Sequence, residues 1–208
     1  MKKIVLLVAA LVLLVMNGCL FVEAVEVRIR FFGNDQPPEV TLIYHNLSSD
    51  AESETRLKED FADMISSWQS NADSLELAEK GFQLKDQQLY LKEGKLQARR
   101  LAVVTGNLAE TLRESGQSAV AGELLSNDER MLVIDASEGT ITATNAKVYK
   151  TGRNFVLTWP EEMREIYWIQ RVPTNTDEYR QARRNRPAFV KMFETFQQEQ
   201  AAAANVRQ

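Results

Sequence analysis

The chain has 208 residues, of which 44% are hydrophobic and 26% charged, with a formal net charge of −4 at pH 7. This acidic balance disfavours nucleic-acid binding, which depends on Lys and Arg to neutralise phosphates. The only histidine, His45, excludes a His-rich metal site, and the only cysteine, Cys19, excludes a disulfide within the chain. We therefore expect no cofactor, no metal and no nucleic-acid partner.

Residues 1–18 are typical of a secretory signal peptide. Met1-Lys2-Lys3 is a short basic segment, and residues 4–16 are an unbroken apolar run of thirteen. A helix that spans a bilayer needs about 20 apolar residues. Counting on to Val22 gives nineteen residues, so an uncleaved membrane anchor is an alternative.

Met16-Asn17-Gly18-Cys19 resembles the lipobox of bacterial lipoproteins, in which Leu, a small residue and Gly or Ala precede the cysteine. Met16 and Asn17 depart from the preferred Leu and Ala or Ser. The resemblance implies cleavage before Cys19, which becomes the mature N-terminus and carries a thioether-linked diacylglycerol with acyl chains such as palmitate. It also implies location at the bacterial cell membrane or outer membrane, outside the cytoplasm. Two or three acyl chains anchor a protein stably. An ordinary secreted or periplasmic protein is a further alternative.

The mature chain opens with two strands and a helix. Strict alternation predicts a half-buried strand over residues 24–32, with Glu26, Arg28 and Arg30 on its polar face. A second strand is predicted over 40–47. Ser49 and Glu52 fit a capping box, which predicts a helix from there to about Ser70. Its apolar positions recur at spacings of three and four, and predict packing on a sheet: Leu57, Phe61, Met64, Ile65 and Trp68.

Strand character is predicted to return over residues 75–104. Lys92-Glu93-Gly94-Lys95 predicts a two-residue hairpin turn that places Leu91 opposite Leu96 and Leu89 opposite Ala98. The pattern of residues 107–125 predicts a helix that packs on the core through Leu108, Leu112, Val120 and Leu124.

Residues 131–171 predict a β-meander. Strands are expected over 131–135 and 140–144, across a turn at Ser137-Glu138-Gly139, and over 165–172. A hairpin at Lys150-Thr151-Gly152-Arg153 would give three cross-strand pairs: Val148 with Phe155, Ala146 with Leu157, and Thr144 with Trp159. The closing segment "VLTWP" (156–160) is similar to membrane-anchored bacterial domains of the LppM type.

The C-terminal part is predicted to be helical after a linker at 173–177. Pro187 is expected to separate helices over 178–186 and 188–204, and the tail from Ala201 is expected to fray. The last helix presents an apolar stripe: Phe189, Met192, Phe193 and Phe196. The whole pattern predicts a signal peptide (1–18), a domain anchored through Cys19 (19–172) and a C-terminal helical segment (173–208). The fold class is α+β, with an antiparallel, meander-rich sheet and three to five helices packed on one face.

Two sets of residues are candidate surfaces. The aromatic set Trp68, Trp159, Tyr167 and Trp168 could line an apolar ligand or partner cleft if the sheet curves, or could be ordinary core. The basic cluster Arg180, Arg183, Arg184 and Arg186 could contact an anionic lipid surface or an acidic partner, or could be a solvated helix face.

These features favour a membrane-anchored lipoprotein of the cell envelope with a non-catalytic binding or assembly role. Its expected partners are the membrane, through the N-terminal lipid, and an envelope protein. The alternative is a carrier of a lipid or other apolar ligand in a curved sheet. A hydrolase that uses paired carboxylates is the least favoured of the three, because no pair of Asp or Glu stands out.

Overall fold

A computed structural model of the chain describes residues 20–33, 36–70, 72–105 and 129–206. Within these ranges the fold is α+β, as the sequence predicts, with eleven strands in three antiparallel sheets and three α-helices. The helices are α1 (Glu54–Gln69), α2 (Ala72–Glu79) and α3 (Asp177–Val206). The strands are β1 (Leu20–Phe21), β2 (Ala24–Arg30), β3 (Glu39–His45), β4 (Ser48–Ser49), β5 (Phe82–Lys92), β6 (Lys95–Val104), β7 (Glu129–Asp135), β8 (Thr140–Thr144), β9 (Lys147–Thr151), β10 (Asn154–Pro160) and β11 (Glu165–Arg171).

The largest sheet has six strands in the order β5-β6-β3-β2-β11-β8. The alternation predicted for β2 is confirmed, because Val27 and Ile29 are buried while Arg28 and Arg30 are exposed. β3 ends at His45, two residues earlier than predicted, because Asn46 adopts a positive φ of 56° that ends the extended backbone.

One face of this sheet forms the core. Trp68 of α1 lies over the guanidinium of Arg100 at 4.5 Å, so α1 covers the β6 end of the sheet. At the β11 end, Trp159 of β10 packs on Trp168 of β11, with ring centroids 6.0 Å apart. Helix α1 and the three-stranded sheet therefore cover the same face. Separately, no described helix has the length and hydropathy needed to span a membrane.

The meander predicted over residues 131–171 is wrong in its connections. β7 and β8 do not pair with each other, since β7 joins the three-stranded sheet β7-β10-β9 and β8 pairs with β11 in the large sheet. A 3₁₀ turn at Ala136–Glu138 carries the chain between the two sheets. Burial of β10 favours this arrangement. Its apolar side chains Leu157 and Trp159 are buried because the three-stranded sheet packs on the large sheet and does not extend it edge to edge.

The two predicted hairpins have different outcomes. The β5–β6 hairpin is confirmed, with Leu91 opposite Leu96 and positive φ angles at both turn residues, as a type I′ turn requires. In the β9–β10 hairpin the predicted register is wrong, because Val148 lies opposite Leu157 and not Phe155. The turn is Gly152-Arg153, with the positive φ of 59° at its first residue, as in a type II′ turn.

The predicted helix start at Ser49 is wrong. Ser53 is the N-cap of α1, and its side chain accepts a hydrogen bond from the Arg56 N–H. Ser49 lies in β4 instead, where its hydroxyl donates to the fully buried Asp60 at 2.5 Å and accepts from the Ala51 N–H at 2.9 Å. The Ser49 hydroxyl therefore bonds to a side chain of α1 and does not cap the backbone N–H groups of its first turn.

Two helical segments also differ from prediction. Residues 72–79 form α2 and not a strand; the helix buries Leu77 and leaves Leu75 70% exposed, which a strand could not do for residues two apart. α3 continues through Pro187 to Val206, so neither the break nor the fraying from Ala201 is seen. Ala182 and Phe189, both fully buried, pack the helix on either side of the proline and hold it in one piece. The helix predicted over 107–125 lies outside the described residues.

Candidate functional site

The second face of the six-stranded sheet is polar and solvent-facing. We call it the open face and define it by the strand side chains that alternate with the core positions. Its central members are Arg28, Arg30, Glu39, Thr41, Ile43, Arg99, Leu101, Glu165, Tyr167 and Ile169. Strand pairing orders them in rows across the sheet, because directly opposite residues lie on one face.

Two neighbouring rows, together with Arg99 of the next row, line a groove of about 200 Å³. In the first row, Arg28 lies opposite Thr41, which lies opposite Leu101. In the second row, Arg30 lies opposite Glu39. The short Thr41 and the apolar Leu101 form the floor, while the longer charged side chains on either side form the walls.

Ion pairs fix the arginine walls. Glu165 of β11 accepts hydrogen bonds from Arg30 Nη2 at 3.1 Å and from Arg28 Nη1 at 3.4 Å, so one carboxylate holds both arginines. The guanidinium of Arg28 also lies 5.0 Å from the centre of the Tyr167 ring. On the far wall, Arg99 pairs with Asp86 of β5. The arginine side chains are therefore oriented before any ligand arrives.

A buried carboxylate lies beside this groove on β2. Glu26 is 6% exposed, bonds to His45 with 3.1 Å between Oε2 and Nε2, and pairs with Arg28. The hydrogen bond with His45 lowers the pKa of Glu26, burial opposes this, and Arg28 lowers it further, so the pKa lies below its usual value. Sequence reasoning placed Glu26 on the polar face but not its burial; the alternating opposite charges at 26 and 28 were the available signal.

Glu39 is the exception among the charged groups of the groove. Its side chain is half-buried on β3, and no residue of the described ranges forms a hydrogen bond or ion pair with its carboxylate. Arg30 lies directly opposite in the strand register but bonds to Glu165 on its other side. The groove thus contains one carboxylate that is not already neutralised.

The predicted aromatic set does not form a common cleft. Trp68, Trp159 and Trp168 are 8%, 1% and 2% exposed, and are part of the core. Trp159 and Trp168 contact each other, and the Trp159 indole N–H donates to Asn145 Oδ1 at 2.8 Å. Tyr167 alone lies on the open face, beside Arg28.

The predicted basic cluster is divided by the position of each residue on α3. Arg186 turns inward and donates to Glu23 Oε2 at 2.7 Å, so it links the helix to the chain between β1 and β2. Arg180 bonds to Asp177 at 2.6 Å, and Arg183 and Arg184 are exposed. Three of the four arginines are therefore available at the surface.

Cys19 lies outside the described residues, and the description begins with the next residue. Leu20 is 4% exposed and lies opposite Ser49, while Phe21 contacts the Tyr179 ring of α3 at 6.0 Å between centroids. The chain is thus part of the folded core from its first described residue.

A second groove, of about 350 Å³, lies between α1, α3 and β5. Its apolar walls are Ile65, Trp68, Leu89, Phe193 and Phe196, with three glutamines at its rim: Gln69, Gln197 and Gln200. Its volume falls in the range of small-molecule sites, which is about 300–1,000 Å³.

Asp50 and Asp60 are two carboxylates that interact electrostatically and lie outside both grooves. Burial, together with Asp60 and Glu178, raises the pKa of Asp50, but Asp60 is fully buried under Ser49, and neither carboxylate lines a groove. Within the described ranges, no group of three or more His, Cys, Asp and Glu side chains could bind a metal ion.

Comparison with known proteins finds no matching family model, no matching curated protein and no matching solved structure.

Proposed function

We propose that the protein is a lipid-anchored lipoprotein of the bacterial cell envelope, with a non-catalytic role in binding or assembly. The observation that carries this proposal is the sequence Met16-Asn17-Gly18-Cys19, which resembles a lipobox at the end of an apolar run and lies directly before the paired strand β1. Removal of residues 1–18 would leave every described strand pairing intact. A protein of this kind needs its folded domain to begin at or after the modified cysteine.

The start of the fold also bears on how the domain would lie. Leu20 is buried and paired, so no flexible tether separates Cys19 from the domain. Consecutive Cα atoms are about 3.8 Å apart, and a lipid on Cys19 would therefore be attached one residue before the buried Leu20. The first turns of α3 are next to this point through the Phe21–Tyr179 contact, and the exposed Arg183 and Arg184 follow on the same helix.

The open face is the surface that best suits a binding role. It presents Arg and Tyr side chains, which are enriched at protein interfaces, around half-buried Ile and Leu. Its arginines are already held by Glu165 and Asp86, which lowers the entropy cost of ordering them on binding. Binding through such a face requires no catalytic group.

Substitution of Cys19 by serine tests the anchor. In a bacterial expression host supplied with labelled palmitate, we expect the unmodified chain to be labelled and to partition into detergent, and Cys19→Ser to do neither. Met16→Leu, which restores the preferred lipobox residue, is the matched control and should be labelled at least as strongly. Unchanged partitioning of Cys19→Ser without loss of residues 1–18 would favour the uncleaved anchor and contradict the proposal.

A carrier of an apolar ligand is the second candidate, and the groove between α1, α3 and β5 is the observation that favours it. A carrier should take up a fluorescent fatty acid saturably, and Phe196→Glu at the groove should abolish uptake. If the protein takes up no fatty acid under conditions in which Phe196→Glu and the unmodified chain are both folded, the carrier function is wrong.

A further inference from the structure

We infer that the unpaired edge of β9 binds an extended segment of a protein partner as an added strand, and that this segment carries two carboxylates three residues apart. The inference rests on the proposed binding role, to which it adds a second surface, but not on the lipid anchor. β9 is the last strand of the three-stranded sheet, and among the described strands it pairs with β10 alone. All five of its residues are exposed.

The register of the β9–β10 hairpin shows which backbone groups of β9 have no strand beside them. In a two-residue hairpin, the residues that flank the turn exchange both hydrogen bonds, and bonded pairs then alternate with non-bonded pairs. Thr151 flanks the turn, so every second residue from Thr151 back to Lys147 bonds to β10. The N–H and C=O groups of Val148 and Lys150 therefore point away from β10, at the unpaired edge.

The apolar side chains of β9 suit an added strand better than a ligand on one face of the sheet. Val148 and Tyr149 are 44% and 53% exposed, and are two of the four large hydrophobic side chains that the described ranges leave exposed. They are consecutive in the strand, so one lies on each face of the three-stranded sheet. An added strand would cover part of both, because its own side chains also alternate between the two faces.

The charge of this edge predicts the chemistry of the partner. Residues 139–160 contain Lys147, Lys150 and Arg153 and no Asp or Glu, although the chain as a whole is acidic. Neither lysine forms an ion pair with a residue of the described ranges, and Lys150 contacts only the ring of Phe155, at 5.8 Å. Carboxylates of a partner would therefore meet cations that are not already neutralised.

The spacing of the two lysines sets the spacing of the carboxylates. Lys147 and Lys150 are three residues apart, and residues of an antiparallel pair lie directly opposite each other. Two acidic residues three apart on the added strand can therefore lie opposite both lysines. A second copy of this chain would bring its own three cations to the edge, and like charges destabilise strand pairing. We therefore assign the edge to a different protein.

The edge is formed before a partner arrives. At the corner between β8 and β9, Asn145 accepts hydrogen bonds from the Trp159 indole N–H at 2.8 Å and the Tyr167 N–H at 2.9 Å, and donates to the Glu165 carbonyl at 2.8 Å. β9 pairs with β10 without a bulge, whereas register shifts interrupt the pairing of β5 and β8, the edge strands of the large sheet. Bulges protect sheet edges from pairing, and β9 lacks this protection.

A short peptide tests the inference on the full-length protein in detergent. The probe is acetylated, amidated Thr-Glu-Val-Tyr-Glu-Thr, and the readout is hydrogen exchange of backbone amides by NMR. We expect saturable protection of the Val148 and Lys150 N–H groups, because both would become hydrogen-bonded. Replacing the peptide's glutamates by glutamine should weaken the Kd by about twofold to fivefold for each. N-methylation of its first glutamate and its tyrosine, whose N–H groups would face β9, should abolish binding.

Variants of the protein separate loss of the edge from loss of the fold. Val148→Pro removes an N–H that points away from β10, where an edge strand tolerates proline, and should abolish binding. Lys150→Gln should weaken the Kd by about twofold to fivefold. Lys85→Gln removes an exposed cation from the edge strand β5 and, as the matched control, should leave the Kd unchanged. Thermal unfolding checks that each variant remains folded.

Several outcomes would overturn the inference. These are no saturable protection with the glutamate peptide, equal binding of its N-methylated form or of a peptide with lysines in place of the glutamates, and an unchanged Kd for Lys150→Gln. Protection by phosphatidylglycerol vesicles but by no peptide would point to a lipid surface instead. Protection that rises with protein concentration in the absence of peptide would identify a second copy as the occupant. None of these outcomes bears on Cys19, so the anchor is judged separately.

Discussion

For single residues such as Glu26, the alternation along a strand predicts which face the side chain lies on. How deeply the side chain is buried depends on the tertiary fold. Glu26 and Arg28 are two residues apart on β2, and the sequence predicts both on the polar face. It does not predict that Glu26 is nearly buried, because the His45 contact depends on how β2 and β3 pair. Glu165 likewise meets Arg30 only through the pairing of β2 with the distant strand β11, and Glu39 lies opposite Arg30 through the pairing of β2 with β3.

Glu26 should make the protein sensitive to acid. Its folded pKa lies below the ordinary value of 4.5, so the carboxylate stabilises the fold above that pH, and this contribution is lost as pH falls through the folded pKa. Glu26→Gln should cost about 1.5–3 kcal/mol near pH 7, the range for a hydrogen bond to a charged group, and much less near pH 3. Urea unfolding at the two pH values measures the difference.

Glu199→Gln is the control for this prediction, because Glu199 is exposed on α3. Its cost should be close to zero at both pH values. A cost for Glu26→Gln that stays the same from pH 7 to pH 3 would show that the charge of Glu26 does not stabilise the fold.

Secondary-structure elements were predictable where local chemistry decides them. The β5–β6 hairpin was predicted with its register because Glu93-Gly94 and the flanking apolar pairs agree. The β9–β10 register was missed because a Gly in a hairpin turn fits either of two positions, and type II′ uses the first. The sequence predicts a break in α3 at Pro187. The helix is continuous there because Phe189 packs on Phe61, at 5.3 Å between ring centroids, and this contact cannot be read from the sequence.

Replacement of Pro187 should stabilise α3. Proline at this position cannot donate to the Arg183 carbonyl, and a proline in a helix interior costs about 3 kcal/mol relative to alanine. Part of this gain is offset because proline also restricts the unfolded chain, by about 0.4–1 kcal/mol. We expect Pro187→Ala to raise the free energy of unfolding by about 2 kcal/mol, measured by urea titration.

Pro173 provides the comparison, since it precedes α3 in an irregular segment. Pro173→Ala loses the restriction of the unfolded chain without gaining a helix bond, so a decrease of under about 1 kcal/mol is expected. A decrease with Pro187→Ala as well would mean that the helix is adapted to its proline.

At the scale of the whole molecule, the fold class was predictable and the association of the sheets was not. Alternation and turn signals identify most strands, but they carry no information about which strand is the neighbour of which. The contact of Trp159 with Trp168 decides that the three-stranded sheet lies on the core face. No element in the described ranges covers the opposite face, so the candidate site follows from the topology of these ranges. The sequence predicts the tryptophans as candidate cleft residues because large aromatic side chains occur both in hydrophobic cores and in binding pockets.

The crossing between the two sheets should depend on Gly139. This residue has a φ of 145°, and a Cβ there would clash with the backbone carbonyl of Arg171, the last residue of β11. Gly139→Ala therefore must either move β11 or distort the 3₁₀ turn, and we expect a loss of about 1–3 kcal/mol in the free energy of unfolding. Gly152→Asn is the matched control, because nothing lies within 4 Å of a Cβ at that position and Asn tolerates its φ of +59°. Its cost should be a few tenths of a kcal/mol by the same urea titration. Equal costs for the two variants would mean that β11 does not hold the crossing in place, and that the sheets associate through their side chains alone.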